Sequence, residues 1–145
     1  MSELNEQELA FLAKERVYLE DIKSIVWLTI RKVTFGDEGE DDNDLVFYTD
    51  NLTIYYECEA DCCSSSWVDN IDDLDNMLNS EILEVEELKV ESIEIEDYDV
   101  LRKYDYLVKT SKGDARIEFR NSSNGYYGGN LCLRKIMHGD EVVWQ

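Results

Sequence analysis

Proline is absent from this sequence of 145 residues, histidine occurs once and cysteine four times. The lone histidine excludes the HExxH zinc proteases and most Ser-His-Asp hydrolases. The chain also lacks the GxxxxGK[ST], GxGxxG and GxSxG motifs of phosphate-binding loops, dinucleotide sites and nucleophile elbows. Catalysis by a carboxylate pair stays open, but with so many acidic residues no pair stands out. The sequence therefore favours a binding protein over an enzyme.

Long apolar runs are missing too. None approaches the ~18 residues that a membrane span needs, and residues 2–16 carry charges where a secretion signal would be apolar. Four cysteines, three of them bunched, do not form the pattern of a secreted disulfide framework. With 43% apolar residues, the sequence predicts one soluble, cytoplasmic domain over residues 1–145.

Basic residues are almost missing from the middle of the chain. Residues 37–99 contain 23 acidic residues and one base, Lys89, whereas residues 100–145 contain five acidic residues and eight bases. Essentially all of the net charge of −20 therefore belongs to the middle segment. Negative charge at this density repels nucleic acid and anionic membranes, so we expect neither as a direct partner. The expected partner is a protein with a basic surface.

The hydrophobic periodicity predicts an α+β domain. An N-terminal helix over residues 1–20, with Ser2 as its N-cap, precedes an antiparallel, meander-rich sheet and one short acidic helix at Asp69–Asn79. Residues 37–44 contain no apolar side chain and are predicted to form a solvated acidic loop. The apolar pattern of residues 82–96 changes phase, which predicts a β-bulge near Glu86-Glu87 and another near Glu91-Ser92. Hairpin turns are predicted at residues 50–51, 111–114 and 138–140.

Three cysteines lie together in ECEADCCSSSW, residues 57–67. Cys58 and Cys62 have a spacing found between paired zinc ligands, and a turn in the following serines would let Cys63 join them. The residues predicted to hold the metal are Cys58, Cys62, Cys63, Asp61 and Cys132, with Glu59 and His138 as further candidates for the fourth ligand. Two alternatives stay open. Free cysteines often pack in a core, and a vicinal pair can be redox-active, although no nearby base would stabilise a thiolate here.

The acidic residues suggest a contact surface. Carboxylates two residues apart on a strand lie about 6.7 Å apart on one face, and duplex DNA carries one charge per ~1.7 Å of its axis. The loop and two such rows would present a comparable field to a basic groove. The predicted partner-binding residues are Asp37, Glu38, Glu40, Asp41, Asp42, Asp44, Glu84, Glu86, Glu94 and Glu96. The alternative is a solvated face that only aids solubility.

The segment SSNGYYGGN, residues 122–130, combines a turn-forming Asn-Gly pair with two tyrosines. A hairpin connection explains this composition better than a recognition surface built on Tyr126 and Tyr127.

Two short segments carry a resemblance, namely Asp61-Cys62-Cys63-Ser64 and the SSNGYY at residues 122–127. Their order along residues 45–137 resembles a family of small uncharacterised proteins of bacteriophages and bacteria in which DCC and SSNGYY recur. Members of that family often have a histidine at the position of Cys58, a replacement that would preserve metal binding. The resemblance implies no activity.

In size and charge the chain also resembles acidic anti-CRISPR proteins of phages and other nucleic-acid mimics. This resemblance implies an inhibitor that acts in the cytoplasm of a bacterial host cell. It would bind a basic surface of a host nucleic-acid enzyme, such as a Cas nuclease, and block the loading of DNA. On this hypothesis the cysteines form a structural zinc site. The alternative hypothesis is a metal-dependent enzyme, or a metal or redox sensor, that uses the Cys58–Cys63 cluster as its working site.

Overall fold

The computed structural model describes residues 3–36, 45–60, 65–88, 91–96, 99–123 and 129–145. Two antiparallel β-sheets make up most of the molecule, and the structure is 61% strand and 18% helix. The predicted α+β domain with a prominent N-terminal helix is therefore wrong. The two segments predicted to be helices, residues 1–20 and Asp69–Asn79, form only short helices and leave the sheets to define the fold.

The N-terminal segment forms two helices and a 3₁₀-helix instead of one helix over residues 1–20. Their bounds are Glu6–Leu12 (α1), Arg16–Leu19 (α2) and Ile22–Ile25 (the 3₁₀-helix). Asn5 is the N-cap of α1, and the predicted cap Ser2 lies outside the described residues. Extended backbone at Glu15 (φ −62°, ψ 150°) separates α1 from α2.

Among the described residues, the first sheet contains five strands. Their bounds are Lys32–Phe35 (β2), Leu45–Tyr48 (β3), Leu52–Ala60 (β4), Gly129–His138 (β10) and Glu141–Trp144 (β11). They lie in the order β11-β10-β4-β3-β2. The turns predicted at Asp50-Asn51 and at residues 138–140 connect β3 to β4 and β10 to β11. Gly139 has a φ of 60°, the left-handed conformation that this second turn requires.

The second sheet contains six strands. Their bounds are Thr29–Ile30 (β1), Ser65–Asp72 (β5), Ser80–Glu87 (β6), Glu91–Glu96 (β7), Asp99–Thr110 (β8) and Gly113–Ser123 (β9). The order is β1-β6-β8-β9-β5, and β6 and β7 pair with successive parts of β8. A register shift lies between Ile82 and Glu84 instead of at the predicted Glu86-Glu87, and a second lies between Glu94 and Glu96.

The acidic helix predicted over Asp69–Asn79 is shorter in the structure and spans only Leu74–Met77 (α3). Its predicted first residues belong to β5. Asp73 (φ 55°) and Asn79 (φ 58°) adopt the left-handed conformation on either side of α3. Aspartate and asparagine adopt this conformation more readily than other non-glycine residues, so the segment turns where a longer helix was predicted. Met77 nevertheless faces the core, as expected.

The apolar faces of the two sheets share one core, which includes Phe47 and Tyr56 of the first sheet and Phe119 of the second. Successive strands lie in different sheets at three points, from β1 to β2, from β4 to β5 and from β9 to β10. Ala60 pairs with Gly129, and Ser65 pairs with Ser122. The residues that flank the DCC-S and NGYY segments therefore meet at one end of the molecule, although both segments lie outside the described residues.

Candidate acidic binding surface

Cys58 and Cys132 lie on neighbouring strands, but their side chains lie on opposite faces of the first sheet. Cys58 pairs with Leu131 in the core, whereas Cys132 pairs with the exposed Glu57. Since paired residues share a face and successive residues alternate, Cys132 does not face Cys58 across the β4–β10 ladder. Cys58 is 8% exposed and belongs to the hydrophobic core.

The other predicted metal ligands, Asp61, Cys62 and Cys63, lie outside the described residues. Among the residues that are described, no three His, Cys, Asp or Glu side chains are placed to hold a metal ion. His138 pairs with Leu52, six residues along β4 from Cys58, which corresponds to about 20 Å at the usual rise per residue. His138 is therefore too far away to share a site with Cys58, and zinc binding by the DCC segment stays a prediction.

Only part of the predicted acidic contact surface can be located. Asp37, Glu38, Glu40, Asp41, Asp42 and Asp44 lie outside the described residues. Glu94 and Glu96 belong to β7, for which the structure describes the backbone but not the side chains. Glu84 and Glu86 are exposed on β6 and flank the buried Val85, so they share the outer face of the strand, as predicted.

These carboxylates lie on the part of β6 that pairs with β8 but, among the described residues, with no strand on its other side. In the ranges that the structure describes, β1 pairs only with Ser80 and Glu81 of β6. The backbone of Ile82 accepts a hydrogen bond from the Trp27 N–H and donates one to the Leu28 carbonyl. Within the described part of the chain, the residues of β6 beyond Ile82 pair only with β8. We call Leu83–Glu87 the acidic edge. Lys109 of β8 lies 3.6 Å from Glu84, but both side chains are exposed, and such a pair contributes at most about 1 kcal/mol.

An exposed tryptophan beside the acidic edge was not predicted from the sequence. Trp27 is 59% exposed, and its backbone N–H donates to the carbonyl of Ile82. Its φ is 78°, a left-handed conformation that costs a bulky residue about 1–2 kcal/mol. The neighbouring Leu83 is 42% exposed where β6 shifts register. Strained backbone and exposed aromatic groups are concentrated at binding surfaces, so Trp27 and Leu83 extend the candidate surface with an apolar patch.

A second acidic feature is a pocket of about 330 Å³ between the two sheets. It lies where the chain between α2 and the 3₁₀-helix meets the end of β6, the middle of β8 and the start of β10. We call it the acidic pocket, and its lining residues are Glu20, Asp21, Ile22, Glu87, Tyr106, Asn130, Leu131 and Cys132. No lysine or arginine is among these eight. Glu87 belongs to both the pocket and the acidic edge, so the two features adjoin.

The carboxylates determine the electrostatics of the pocket. Burial, followed by the charges of Glu87 and Asp21, raises the pKa of Tyr106. Burial, followed by the charges of Glu59, Glu20 and Glu57, also raises the pKa of the Cys132 thiol. Cys132 therefore stays protonated at neutral pH and lacks the thiolate that nucleophilic or redox chemistry needs. The pocket offers a negative field to a positively charged group.

One known protein family matches this chain. The family described as a domain of unknown function, DUF7448, matches residues 23–133, which is most of the chain. The chain belongs to that family, and the expected membership in an uncharacterised family is confirmed at this level. No curated protein and no solved structure matches the chain. No helix in the described part of the chain is long and apolar enough to cross a membrane.

Proposed function

We propose that this member of the DUF7448 family acts by binding a basic surface of another protein, and that the partner is an enzyme acting on nucleic acid, such as a Cas nuclease. The observation that carries the proposal is the distribution of charge, with 23 acidic residues and one base in residues 37–99. By occupying the basic surface that would otherwise hold DNA, the protein would act as an inhibitor of DNA loading.

The acidic edge supports this proposal because Glu84 and Glu86 are exposed on the outer face of β6. Glu84 and Glu86 stand about 6.7 Å apart on one face, at the usual rise along a strand. A row of this kind attracts lysine and arginine side chains over a distance set by the Debye length, ~8 Å in physiological salt. Charges at the rim of an interface act mainly on the rate of association.

Trp27 and Leu83 add the apolar contact that charge alone does not provide. Interfaces usually combine a charged rim with a few aromatic anchors that carry most of the binding energy. Trp27 is more than half exposed and lies against the start of the acidic edge. An exposed tryptophan held beside a row of carboxylates fits a protein surface that is basic around a small apolar patch.

The test is a gel shift of a guide-loaded Cas nuclease with fluorescent target DNA, measured at increasing concentrations of this protein. We expect the protein to block DNA loading and the block to weaken steeply as salt rises from roughly 0.05 to 0.5 M. Glu84→Gln with Glu86→Gln should weaken the inhibition about 3- to 10-fold, because each exposed charge pair contributes up to about 1 kcal/mol.

The matched control is Asp140→Asn with Glu141→Gln, which removes the same charge from exposed residues of the β10–β11 hairpin in the other sheet. This control should inhibit like the parent protein. Sedimentation of each variant checks that none has aggregated. If both double variants inhibit equally well, or if inhibition does not depend on salt, the acidic residues only form a solvated face and the proposal fails.

A further inference from the structure

Tyr106 packs its ring in the hydrophobic core and also lines the acidic pocket. Its side chain is 8% exposed and lines the pocket on β8, where it pairs with Glu87. Within the part of the chain that the structure describes, its phenol hydroxyl makes no hydrogen bond. The ring is buried, but the hydroxyl is not among the fully buried polar atoms that lack a partner, so it is accessible at the pocket and can accept a hydrogen bond from a ligand.

We propose that the acidic pocket binds the guanidinium group of an arginine side chain of the partner protein, with Glu20, Asp21 and Glu87 around it and the Tyr106 hydroxyl as an acceptor. This inference rests on the proposed function, because it names the anchor by which a basic partner is held. It goes further in assigning a specific pocket and a specific side chain.

The shape of the pocket favours one amphipathic side chain. Its volume of about 330 Å³ lies at the lower end of the range of ligand pockets, which suits a side chain better than a larger ligand. Ile22 and Leu131 provide apolar walls, and the carboxylates provide the polar part. Arginine combines an apolar stem with a planar group that donates several hydrogen bonds to carboxylates, and it is enriched at the centres of interfaces.

A metal ion fits the pocket less well. Ca²⁺ and Mg²⁺ need several oxygen ligands at about 2.0–2.6 Å. No three carboxylate, thiol or imidazole side chains in the described ranges converge closely enough to hold a metal ion. A guanidinium group spreads its charge over a plane and donates in several directions, so it can reach carboxylates that lie too far apart to share one ion.

The first experiment uses the whole protein labelled with ¹⁵N and titrated with L-argininamide. The matched probe is L-citrullinamide, which has nearly the same shape but a neutral ureido group in place of the guanidinium group. We expect chemical-shift changes centred on the pocket residues and affinity at least ~10-fold higher for argininamide, since charged hydrogen bonds are about twice as strong as neutral ones. Equal affinity for the two probes would overturn the proposal. So would displacement of argininamide by MgCl₂, which would indicate a metal site.

Tyr106→Phe separates a role in binding from a role in folding. Since the hydroxyl makes no hydrogen bond to the described residues, its removal should leave the thermal stability unchanged or slightly higher. Affinity for argininamide should fall about 3- to 10-fold with the loss of one hydrogen bond, and Glu87→Gln should weaken it similarly. Asp140→Asn with Glu141→Gln serves again as the control and should bind like the parent. Unchanged affinity of Tyr106→Phe would refute the assignment of the hydroxyl.

The gel shift distinguishes failure of this inference from failure of the proposed function. If the parent protein blocks DNA loading and Tyr106→Phe and Glu87→Gln block it equally well, the pocket is not the anchor, but the binding function stands. If the parent protein does not block loading, the proposed function fails for that nuclease. The argininamide titration still decides whether the pocket selects a guanidinium group.

Discussion

Glu8 is a fully buried carboxylate, and its replacement tests how the N-terminal helix is attached to the first sheet. Its side chain accepts hydrogen bonds from the Asn5 N–H, the Thr49 hydroxyl, and the backbone N–H and side-chain amide of Asn51. The capping box of α1 and the turn between β3 and β4 therefore meet at one side chain. The exposed fraction of Glu8 is 0%, so water cannot replace these donors.

The magnitude follows from these four hydrogen bonds. In Glu8→Gln the amide nitrogen replaces one accepting oxygen, so about half of the donors lose their acceptor. We expect the free energy of unfolding to fall by about 2 kcal/mol, and by about 3–4 kcal/mol in Glu8→Ala, which loses all four bonds and leaves a cavity. Glu6→Gln is the matched control, because Glu6 is exposed in the same first turn and contributes at most about 1 kcal/mol through the helix dipole.

The cost of Glu8→Gln should depend on pH. Burial alone would raise the pKa of Glu8, but the hydrogen bonds from Asn5, Thr49 and Asn51 together hold it below its ordinary value of 4.5. The native state thus prefers the charged form more strongly than the unfolded state does. Glu8 therefore stabilises the fold at pH values above 4.5, and this stabilisation is lost as the pH falls through the lower pKa of the folded state.

The assay is urea unfolding of the parent, Glu8→Gln and Glu6→Gln at a series of pH values from 7 down to about 3. Comparing variants at each pH removes the general effect of titrating many other carboxylates. The difference between the parent and Glu8→Gln should be largest at neutral pH and should shrink toward the acidic end of the series. A difference that stays constant across this range would refute the assignment of stability to the ionised carboxylate.

Two further predictions concern the cysteines and Trp27. About one zinc ion per chain should copurify with protein made without a histidine tag, and Cys62→Ser should remove it; metal-free parent protein would end the zinc hypothesis. Metal content is the proper readout because Cys58 also packs in the core, so a loss of stability in Cys58→Ser would not distinguish the two roles. Trp27→Gly should change the free energy of unfolding by less than about 1 kcal/mol, since relief of the left-handed strain offsets the flexibility of glycine. The same variant should weaken the block of DNA loading in the gel shift, and unchanged inhibition would exclude Trp27 from the contact.

Local patterns predicted the hairpins well. The turns at Asp50-Asn51 and residues 111–114, and the alternation of the strands that flank them, are set by neighbouring residues. The N-terminal helix was predicted too long because leucine spacing alone does not show where a helix is interrupted. The competing signal was Asn5 followed three residues later by Glu8, a capping box that places the N-cap three residues after the predicted Ser2.

The candidate site was harder to predict because it depends on contacts between distant segments. Glu84 and Glu86 could be placed on one face from their spacing alone. The acidic pocket joins Asp21, Tyr106 and Asn130 from three separate parts of the chain, and no local pattern links them. Only its positive φ and its exposure distinguish Trp27 from the other apolar residues around it.

The carboxylates of the acidic edge have a second possible role, because charged residues on an edge strand prevent pairing with another chain. The other sheet shows how little charge that role requires. Its edge strand β11 carries Glu141 beside the exposed Val142 and Val143. The acidic edge has three carboxylates in five residues and leads into a pocket with two more, Glu20 and Asp21. The acidic edge therefore has more carboxylates than β11 uses for protection. This excess and the exposed Trp27 favour a surface that attracts a partner over one that only prevents aggregation.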